Sequence, residues 1–232
     1  MLGDLSAHYE SNGNPACISD GVGDAGGVSY GAYQLSSTMG SVDRFIEWLG
    51  RHEDKAYRTV GDQLRLYPVT SEAFNDLWRR LGTERETDFL LMQHDFIQET
   101  YYDPACQCLA ALGFHREHHS HTMQDVIWSR AVQYGVLAIG DMFTEASKEA
   151  GVMELASVDT WRWDRPMIRA IYTVCQSSEW NYGPLRDSLH RRFEDECNEA
   201  LRRFEAEVPE LCKGDADEDR IVNTVPSVSD VK

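Results

Sequence analysis

Apolar side chains recur at three- and four-residue intervals along most of the chain, which is the spacing of one face of an α-helix. This pattern predicts a mainly α fold. Serine and proline mark where helices begin, and glycine or Asp-Pro marks where they end. The apolar sets are Val42, Phe45, Ile46 and Leu49 before Gly50; Phe74, Leu77, Trp78 and Leu81 between Ser71 and Gly82; Phe89, Met92, Phe96, Ile97 and Tyr101 before Asp103-Pro104; Met167, Ile168, Ile171, Tyr172 and Cys175 after Pro166; and Leu185, Leu189, Phe193, Cys197, Leu201 and Phe204 after Pro184.

The same pattern predicts how the chain is organised. Residues 1–212 carry helical periods almost throughout, so we expect them to form one domain. Met123 to Ile139 is apolar on most faces and predicts a buried central helix, with a bend at Gly140-Asp141. Residues 213–232 are acidic and have no apolar period, so we expect a flexible tail.

The stretch near residues 17–36 departs from the helical period, because glycine, aspartate and serine alternate there with short aromatic runs. It predicts a small β-hairpin. Strand alternation would turn Ser29 and Tyr33 to one face, with Tyr30 and Gln34 on the other. The serine and the glutamine are candidates to hydrogen-bond a ligand. The two tyrosine rings offer faces either for a sugar or for packing against the helices.

The net charge narrows the choice of partners. Against 39 acidic residues stand 22 lysines and arginines, which gives a formal charge of −17 at pH 7. Nucleic acids and anionic membranes attract clustered basic side chains, so this balance argues against both. No stretch of about 20 apolar residues is present to span a bilayer. Residues 1–4 lack the basic and apolar regions of a secretory signal, so we expect another route of export.

The cysteines and histidines give only weak indications of disulfides or of a metal site. An even count of six cysteines permits disulfides, but a chain this rich in aromatic residues needs none to build a core. In the run from Phe114 to His121, a helix would bring His115 and His119 to one face, as a zinc-dependent amidase would require. The flanking Gly113 and Ser120 favour a connecting loop instead. We therefore expect a solvated histidine-rich loop, no metal and no other cofactor.

Carboxylates suited to cleaving a glycosidic bond occur near the N-terminus. Glu10 ends a short run that fits a helix, and Asp20 and Asp24 follow in a glycine-rich loop. Glycosidic cleavage needs one carboxylic acid to protonate the leaving oxygen and a second carboxylate to stabilise the reacting centre or to position water. Turn chemistry alone also favours aspartate beside glycine, so the residues by themselves leave both assignments open.

This region contains two short motifs, Glu-Ser-Asn-Gly at residues 10–13 and Gly-Ala-Tyr-Gln at residues 31–34. Both resemble motifs of the lysozyme-like superfamily of peptidoglycan hydrolases. The longer run from Tyr9 to Gly31 is similar to the muramidase domains fused to type VI secretion spike proteins, and to related phage-tail and lysin proteins. The similarity covers about residues 8–37, with a weaker match at Val126–Gly135.

The resemblance implies a lysozyme-like helical domain in which Glu10 is the general acid and Asp24 its partner, with Asp20 as the alternative. It implies that Ser29, Tyr30, Tyr33, Gln34 and Gln133 bind substrate. The implied activity is cleavage of the β-1,4 bond between N-acetylmuramic acid and N-acetylglucosamine in peptidoglycan.

The resemblance also implies a biological setting. The protein would be an antibacterial effector or a phage lysin, carried to a target periplasm through a fused region of a longer protein. A cognate immunity protein would then be a partner. Three alternatives stay open: a lytic transglycosylase, which needs only the glutamate; a chitosanase-like hydrolase; and a glycan-binding module without catalysis.

Overall fold

A computed structural model describes residues 13–19, 27–182 and 186–222 of the chain. Within these ranges the fold is mainly helical and contains a small two-stranded antiparallel hairpin, which confirms the predicted fold class. None of the helices there is long and apolar enough to cross a membrane. No disulfide joins the six cysteines, all of which lie in the described part of the chain.

The described residues form two compact units. The first comprises the residues up to Gln107 together with Ile127–Leu137. The second comprises Cys108–Val126 together with the residues from Ala138 onward. The domain that the sequence predicts, residues 1–212, includes segments of both units.

The first unit contains the hairpin. Its strands are β1 (Ser29–Tyr30) and β2 (Leu35–Ser36), and its helices are α1 (Ser41–Arg51), α2 (Lys55–Leu64), α3 (Glu72–Glu84) and α4 (Glu86–Ile97). A π-helical segment, Gln98–Tyr102, leads into α5 (Asp103–Ala111). The first unit also includes the C-terminal part of α6 (His121–Tyr134).

Aromatic packing anchors the hairpin in this unit. The ring of Tyr30 meets those of Phe74 and Trp78 edge-on, with centroids 5.4 Å and 5.1 Å apart. Trp78 also contacts Phe45 of α1, and all four side chains are fully buried. Burial of one large apolar side chain contributes roughly 1.5–3 kcal/mol to stability. Strand β1 is therefore held against α3 by core packing.

Helix α3 begins where the sequence predicts but continues past the glycine that was expected to end it. The side chain of Ser71 caps the helix by accepting a hydrogen bond from the Phe74 N–H at 3.2 Å. Gly82 lies inside the helix, which runs to Glu84. A Cβ at this position would stand 2.5 Å from the Cα of Ala16. The glycine thus permits close approach of another segment and does not terminate the helix.

The prediction that the helical path ends before Asp103-Pro104 is also wrong. The π-helical segment Gln98–Tyr102 interrupts the regular backbone ladder just before that point, and α5 begins at Asp103. Pro104 then lies in the first turn of a new α-helical segment, where its missing N–H costs little.

The second unit contains the remaining helices. They are the end of α5 from Cys108 onward, the N-terminal part of α6, α7 (Val136–Glu149) from Ala138 onward, α8 (Asp164–Gln176) and α9 (Arg186–Val222), with short 3₁₀ turns at Arg116–His118, Leu155–Val158 and Trp161–Trp163. Pro166 lies in the first turn of α8, as predicted. Helix α9 includes residues 213–222 of the segment that the sequence predicts to be a tail.

The predicted central helix is divided in two. Gly135 separates α6 from α7 and has a φ of 80°, in the left-handed region that glycine adopts without strain. The break occurs five residues before the bend predicted at Gly140-Asp141, which lies inside α7. A single glycine in a strongly apolar run was sufficient to end the helix.

Candidate functional site

The candidate catalytic carboxylates Glu10, Asp20 and Asp24 lie outside the described residues, so their roles remain predictions. The structure describes the segments that flank them in sequence. These are the loop from Gly13 to Ser19 and the hairpin that follows Gly27.

Buried hydrogen bonds hold the loop that follows the Glu10 motif. The carbonyl oxygen of Pro15 accepts hydrogen bonds from Trp78 Nε1 at 3.0 Å and from Gln93 Nε2 at 3.1 Å. Neutral hydrogen bonds of this kind contribute about 1 kcal/mol each, and leaving a buried partner unpaired costs more. The backbone therefore has a fixed position only five residues after Glu10 in sequence.

The same loop pairs with β1. The Ser19 N–H donates to the Ser29 carbonyl at 2.9 Å, and the Gly31 N–H donates to the Cys17 carbonyl at 2.7 Å. The Ser29 N–H in turn donates to Ser19 Oγ at 3.0 Å. The loop that follows the first motif and the strand that leads into the second motif are thus joined by hydrogen bonds.

Gln93 connects both segments to α4. Its Oε1 accepts a hydrogen bond from the Ala32 N–H at 2.8 Å, while its Nε2 holds Pro15. The side chain is fully buried. This residue was not among those predicted from the sequence. The available signal was a polar side chain within the apolar stripe formed by Phe89 and Phe96.

Residues 31–34 form a tight turn, so the predicted strand alternation through this segment is wrong. Gln34 has a φ of 48°, a left-handed conformation that is uncommon for a residue with a side chain. Its Nε2 donates to the Gly31 carbonyl at 3.0 Å, which ties the side chain into the turn. Backbone strain of this kind is concentrated at functional sites.

A cavity of about 370 Å³ lies beside this turn. It brings together three of the residues that the sequence predicts to bind substrate, Tyr33, Gln34 and Gln133. Hydroxyl and amide groups thus lie beside aromatic rings, a combination that suits the mixed polar and apolar surface of a sugar. The other lining residues are Leu35, Ser36, Met39, Ser41, Arg44, Ile97, Tyr101, Val132, Tyr134 and Gly135.

Two polar side chains that line the cavity differ in whether they have a hydrogen-bond partner. The Arg44 guanidinium donates to the Tyr101 hydroxyl at 2.9 Å, so this cation is held at the cavity. The Oε1 atom of Gln133 is buried and accepts no hydrogen bond from the described residues. A buried acceptor without a partner is costly, and it is the kind of group that a ligand donor can satisfy.

Ser29 and Tyr30 occupy packing positions. Ser29 is buried in β1 opposite Ser36 and contributes the backbone bonds described above. The Tyr30 ring is enclosed by the α3 aromatic residues, and its hydroxyl donates to Asn75 Oδ1 at 2.6 Å. Burial leaves neither ring face open to a pyranose, so Tyr30 anchors the hairpin in the state described.

In the second unit, the histidine-rich run is a connecting turn, as predicted, but it is not wholly solvated. His119 is buried, and its Nδ1 lies 2.6 Å from Asp164 Oδ1. His115 and His118 both contact Asp159. Burial raises the pKa of this aspartate, but hydrogen bonds from the His115 backbone and from the two rings outweigh that effect and lower it to about 2. Asp159 is therefore ionised at neutral pH.

Comparisons with known proteins agree with the type VI secretion resemblance. The family described as type VI secretion system spike protein VgrG3-like, C-terminal, matches residues 2–194. The type VI secretion system spike protein VgrG3 of Vibrio cholerae serotype O1 is 38% identical over 135 residues. That alignment covers 58% of this chain but 12% of the spike protein. Because the family match extends over most of its length, the chain belongs to the VgrG3-like C-terminal family of type VI secretion system spike proteins.

Proposed function

We propose that this chain is a peptidoglycan hydrolase of the muramidase type, which cleaves the β-1,4 bond between N-acetylmuramic acid and N-acetylglucosamine. The observation that carries the proposal is the cavity beside the hairpin. It joins Tyr33 and Gln34, from one motif of the resemblance, to Gln133, from the weaker match on α6. Residues far apart in sequence that converge on one cavity are typical of a binding site.

In the proposed mechanism, Glu10 donates a proton to the glycosidic oxygen as the bond breaks. Asp24 then either activates water or stabilises the oxocarbenium-like centre, and Asp20 is the alternative for this role. Carboxyl groups about 6.5–9.5 Å apart would give inversion at the anomeric carbon, and a separation of about 5–5.5 Å would give retention. The hairpin turn and Gln133 would hold the sugar by hydrogen bonds.

One cation bears on the choice between peptidoglycan and chitosan. Among the described lining residues, the charged side chain is Arg44. It would attract the peptide carboxylates of peptidoglycan and repel the ammonium groups of chitosan. The proposed catalytic carboxylates would attract those ammonium groups, so a chitosanase-like activity stays the alternative that product analysis tests.

Family membership supports delivery by a type VI secretion system as an antibacterial effector. The target compartment would be the periplasm of a rival bacterium, where peptidoglycan is accessible. The secretion apparatus would be one partner, and an immunity protein that protects the producing cell would be another. A glycan-binding module without catalysis is the alternative role within the same setting.

Product analysis tests the proposed reaction. Purified chain is incubated with sacculi, and the soluble fragments are separated and identified by mass spectrometry. We expect muropeptides with reducing-end N-acetylmuramic acid. Fragments with 1,6-anhydro ends would instead identify a lytic transglycosylase. Binding to sacculi with no soluble fragments would identify a binding module, and release of oligosaccharides from chitosan alone would identify a chitosanase.

Substitution of Gln133 by methionine tests the cavity. The Gln133→Met variant is expected to keep its melting temperature or to gain up to about 2 °C, because it removes a buried acceptor without a partner among the described residues. Muropeptide release is expected to fall at least about tenfold, since a hydrogen bond to substrate is lost. Thermal denaturation and initial rates measure the two effects.

The matched control is Gln63→Met, which makes the same chemical change on the exposed surface of α2. It should leave the rate of release unchanged. A Gln133→Met variant with the wild-type rate would remove Gln133 from the proposed binding site. A variant that loses stability and activity together would indicate a structural role for the amide.

A further inference from the structure

We propose that His115, His118 and Asp159 form a binding site for a divalent transition-metal ion such as Zn²⁺. The site lies in the second unit and shares no residue with the proposed hydrolytic site. Its ligands come from two segments that lie 41 to 44 residues apart in the sequence. The sequence showed the histidines but gave no sign that Asp159 joins them.

The geometry of the three side chains carries the proposal. The Nδ1 atoms of His115 and His118 each lie 2.8 Å from the same oxygen, Asp159 Oδ2. The three potential ligand atoms all lie within 4.8 Å of one another. The two imidazole rings are inclined at 50° with centroids 5.3 Å apart, so they converge on the carboxylate and do not stack on each other.

A metal ion fits this cluster after the ligand atoms adjust. Zn²⁺ binds nitrogen and oxygen ligands at about 2.0–2.2 Å, which separates ligand atoms in a tetrahedron by roughly 3.3 Å. The present nitrogen–oxygen separations of 2.8 Å would have to widen by about half an ångström. The two nitrogens, which lie within 4.8 Å of each other, would have to move closer by up to about 1.5 Å. His118 is 52% exposed, so its ring is free to make that movement. Solvent would supply the remaining ligand.

The carboxylate is already fixed by its own partners. The other oxygen of Asp159 accepts a hydrogen bond from the His115 N–H at 2.6 Å and lies 3.3 Å from Nε2 of His119. His119 is buried and held in turn by Asp164, which also accepts a hydrogen bond from the Ser120 N–H at 2.8 Å. Supporting shells of this kind orient ligand carboxylates and raise metal affinity.

The types of ligand atom favour a borderline metal ion over a hard one, and the site is accessible to such an ion from solvent. Two imidazoles and one carboxylate suit Zn²⁺, Co²⁺ or Ni²⁺, whereas Mg²⁺ and Ca²⁺ prefer oxygen ligands alone. Asp159 and His118 also line a cavity of about 720 Å³ in this unit, so the ion has a path from solvent. A bound ion would link the 3₁₀ turn Arg116–His118 to the segment at Asp159 and restrict the chain between them.

Titration of the metal-free chain tests the proposal. The protein is treated with EDTA, dialysed, and titrated with zinc chloride in a calorimeter, with magnesium chloride in a parallel run. We expect one Zn²⁺ per chain with a micromolar Kd and no heat from Mg²⁺. At Zn²⁺ concentrations about 100 times Kd, the melting temperature should rise by about 5–10 °C. Binding of Co²⁺ in place of Zn²⁺ should produce visible absorption bands that report coordination by the two histidine nitrogens.

The decisive variant is His118→Gln, because glutamine keeps an amide donor for Asp159 but does not replace imidazole as a transition-metal ligand. We expect Zn²⁺ affinity to fall at least about 30-fold while circular dichroism stays unchanged. The matched control, His121→Gln, changes an exposed histidine at the start of α6 and should bind like the wild type. Absence of stoichiometric Zn²⁺ binding, or equal binding by both variants, would overturn the proposal.

Discussion

Replacing Glu10 by glutamine is expected to lower the rate of muropeptide release from sacculi by about 10²–10⁴-fold. Glutamine has nearly the shape of glutamic acid but carries no transferable proton. The leaving oxygen would then depart as an alkoxide, which is the costly step that general acid catalysis avoids. Initial rates with purified sacculi measure the loss, and binding to sacculi should persist because the cavity is unchanged.

Controls for Glu10→Gln distinguish chemistry from folding. Glu47→Gln makes the same change at an exposed position of α1 and should retain full activity. Both variants should melt within about 1 °C of the wild type. Parallel Asp24→Asn and Asp20→Asn variants identify the second carboxylate, because only the true partner should give a comparable loss. Substantial activity in Glu10→Gln would exclude Glu10 as the general acid.

Alanine at Gly31 is expected to lower the free energy of unfolding by about 3 kcal/mol. The glycine has a φ of 75°, where an L side chain costs about 1–2 kcal/mol. A Cβ there would also overlap the amide of Gln93. To make room, that amide would have to leave the Ala32 N–H or the Pro15 carbonyl, both of which it holds in a buried position. Urea denaturation measures the change.

The Gly40→Ala variant separates the cost of the left-handed backbone from the cost of the clash with Gln93. Gly40 has a φ of 72°, but a Cβ there would meet nothing within 4 Å. We expect this variant to lose only the conformational part, about 1 kcal/mol. The difference between the two variants then reports the Gln93 clash. An equal loss of unfolding free energy in both variants would show that the Gln93 amide does not clash with the new Cβ. If Gln93 aligns the turn with the loop that follows the Glu10 motif, the rate of muropeptide release should fall more in Gly31→Ala than in Gly40→Ala.

The helical fold was predictable because burial imposes a period on each segment. The apolar sets placed α1, α3 and α8 within a few residues of their observed bounds. Errors arose where a glycine had more than one possible role. Gly82 permits close packing and does not end its helix, and Gly135 ends a helix whose apolar pattern continues. Sequence alone does not reveal which neighbour lies against a glycine.

The candidate site was predictable only in part. The motif resemblance identified Tyr33, Gln34 and Gln133, which line one cavity in the first unit. It did not distinguish Tyr33 from Tyr30, because the hairpin turns after two residue pairs and the alternation stops there. Gln93 and Asp159 were missed, since each acts through segments far from it in sequence. Tertiary contacts of this kind leave no local pattern.

The left-handed backbone of Gln34 has a consequence for stability. Glycine would adopt a φ of 48° with less strain, but it would lose the hydrogen bond from the Gln34 amide to the Gly31 carbonyl. The two effects of a Gln34→Gly substitution on the free energy of unfolding therefore oppose each other, and position 34 is a place where the conformation of the turn depends on its own side chain.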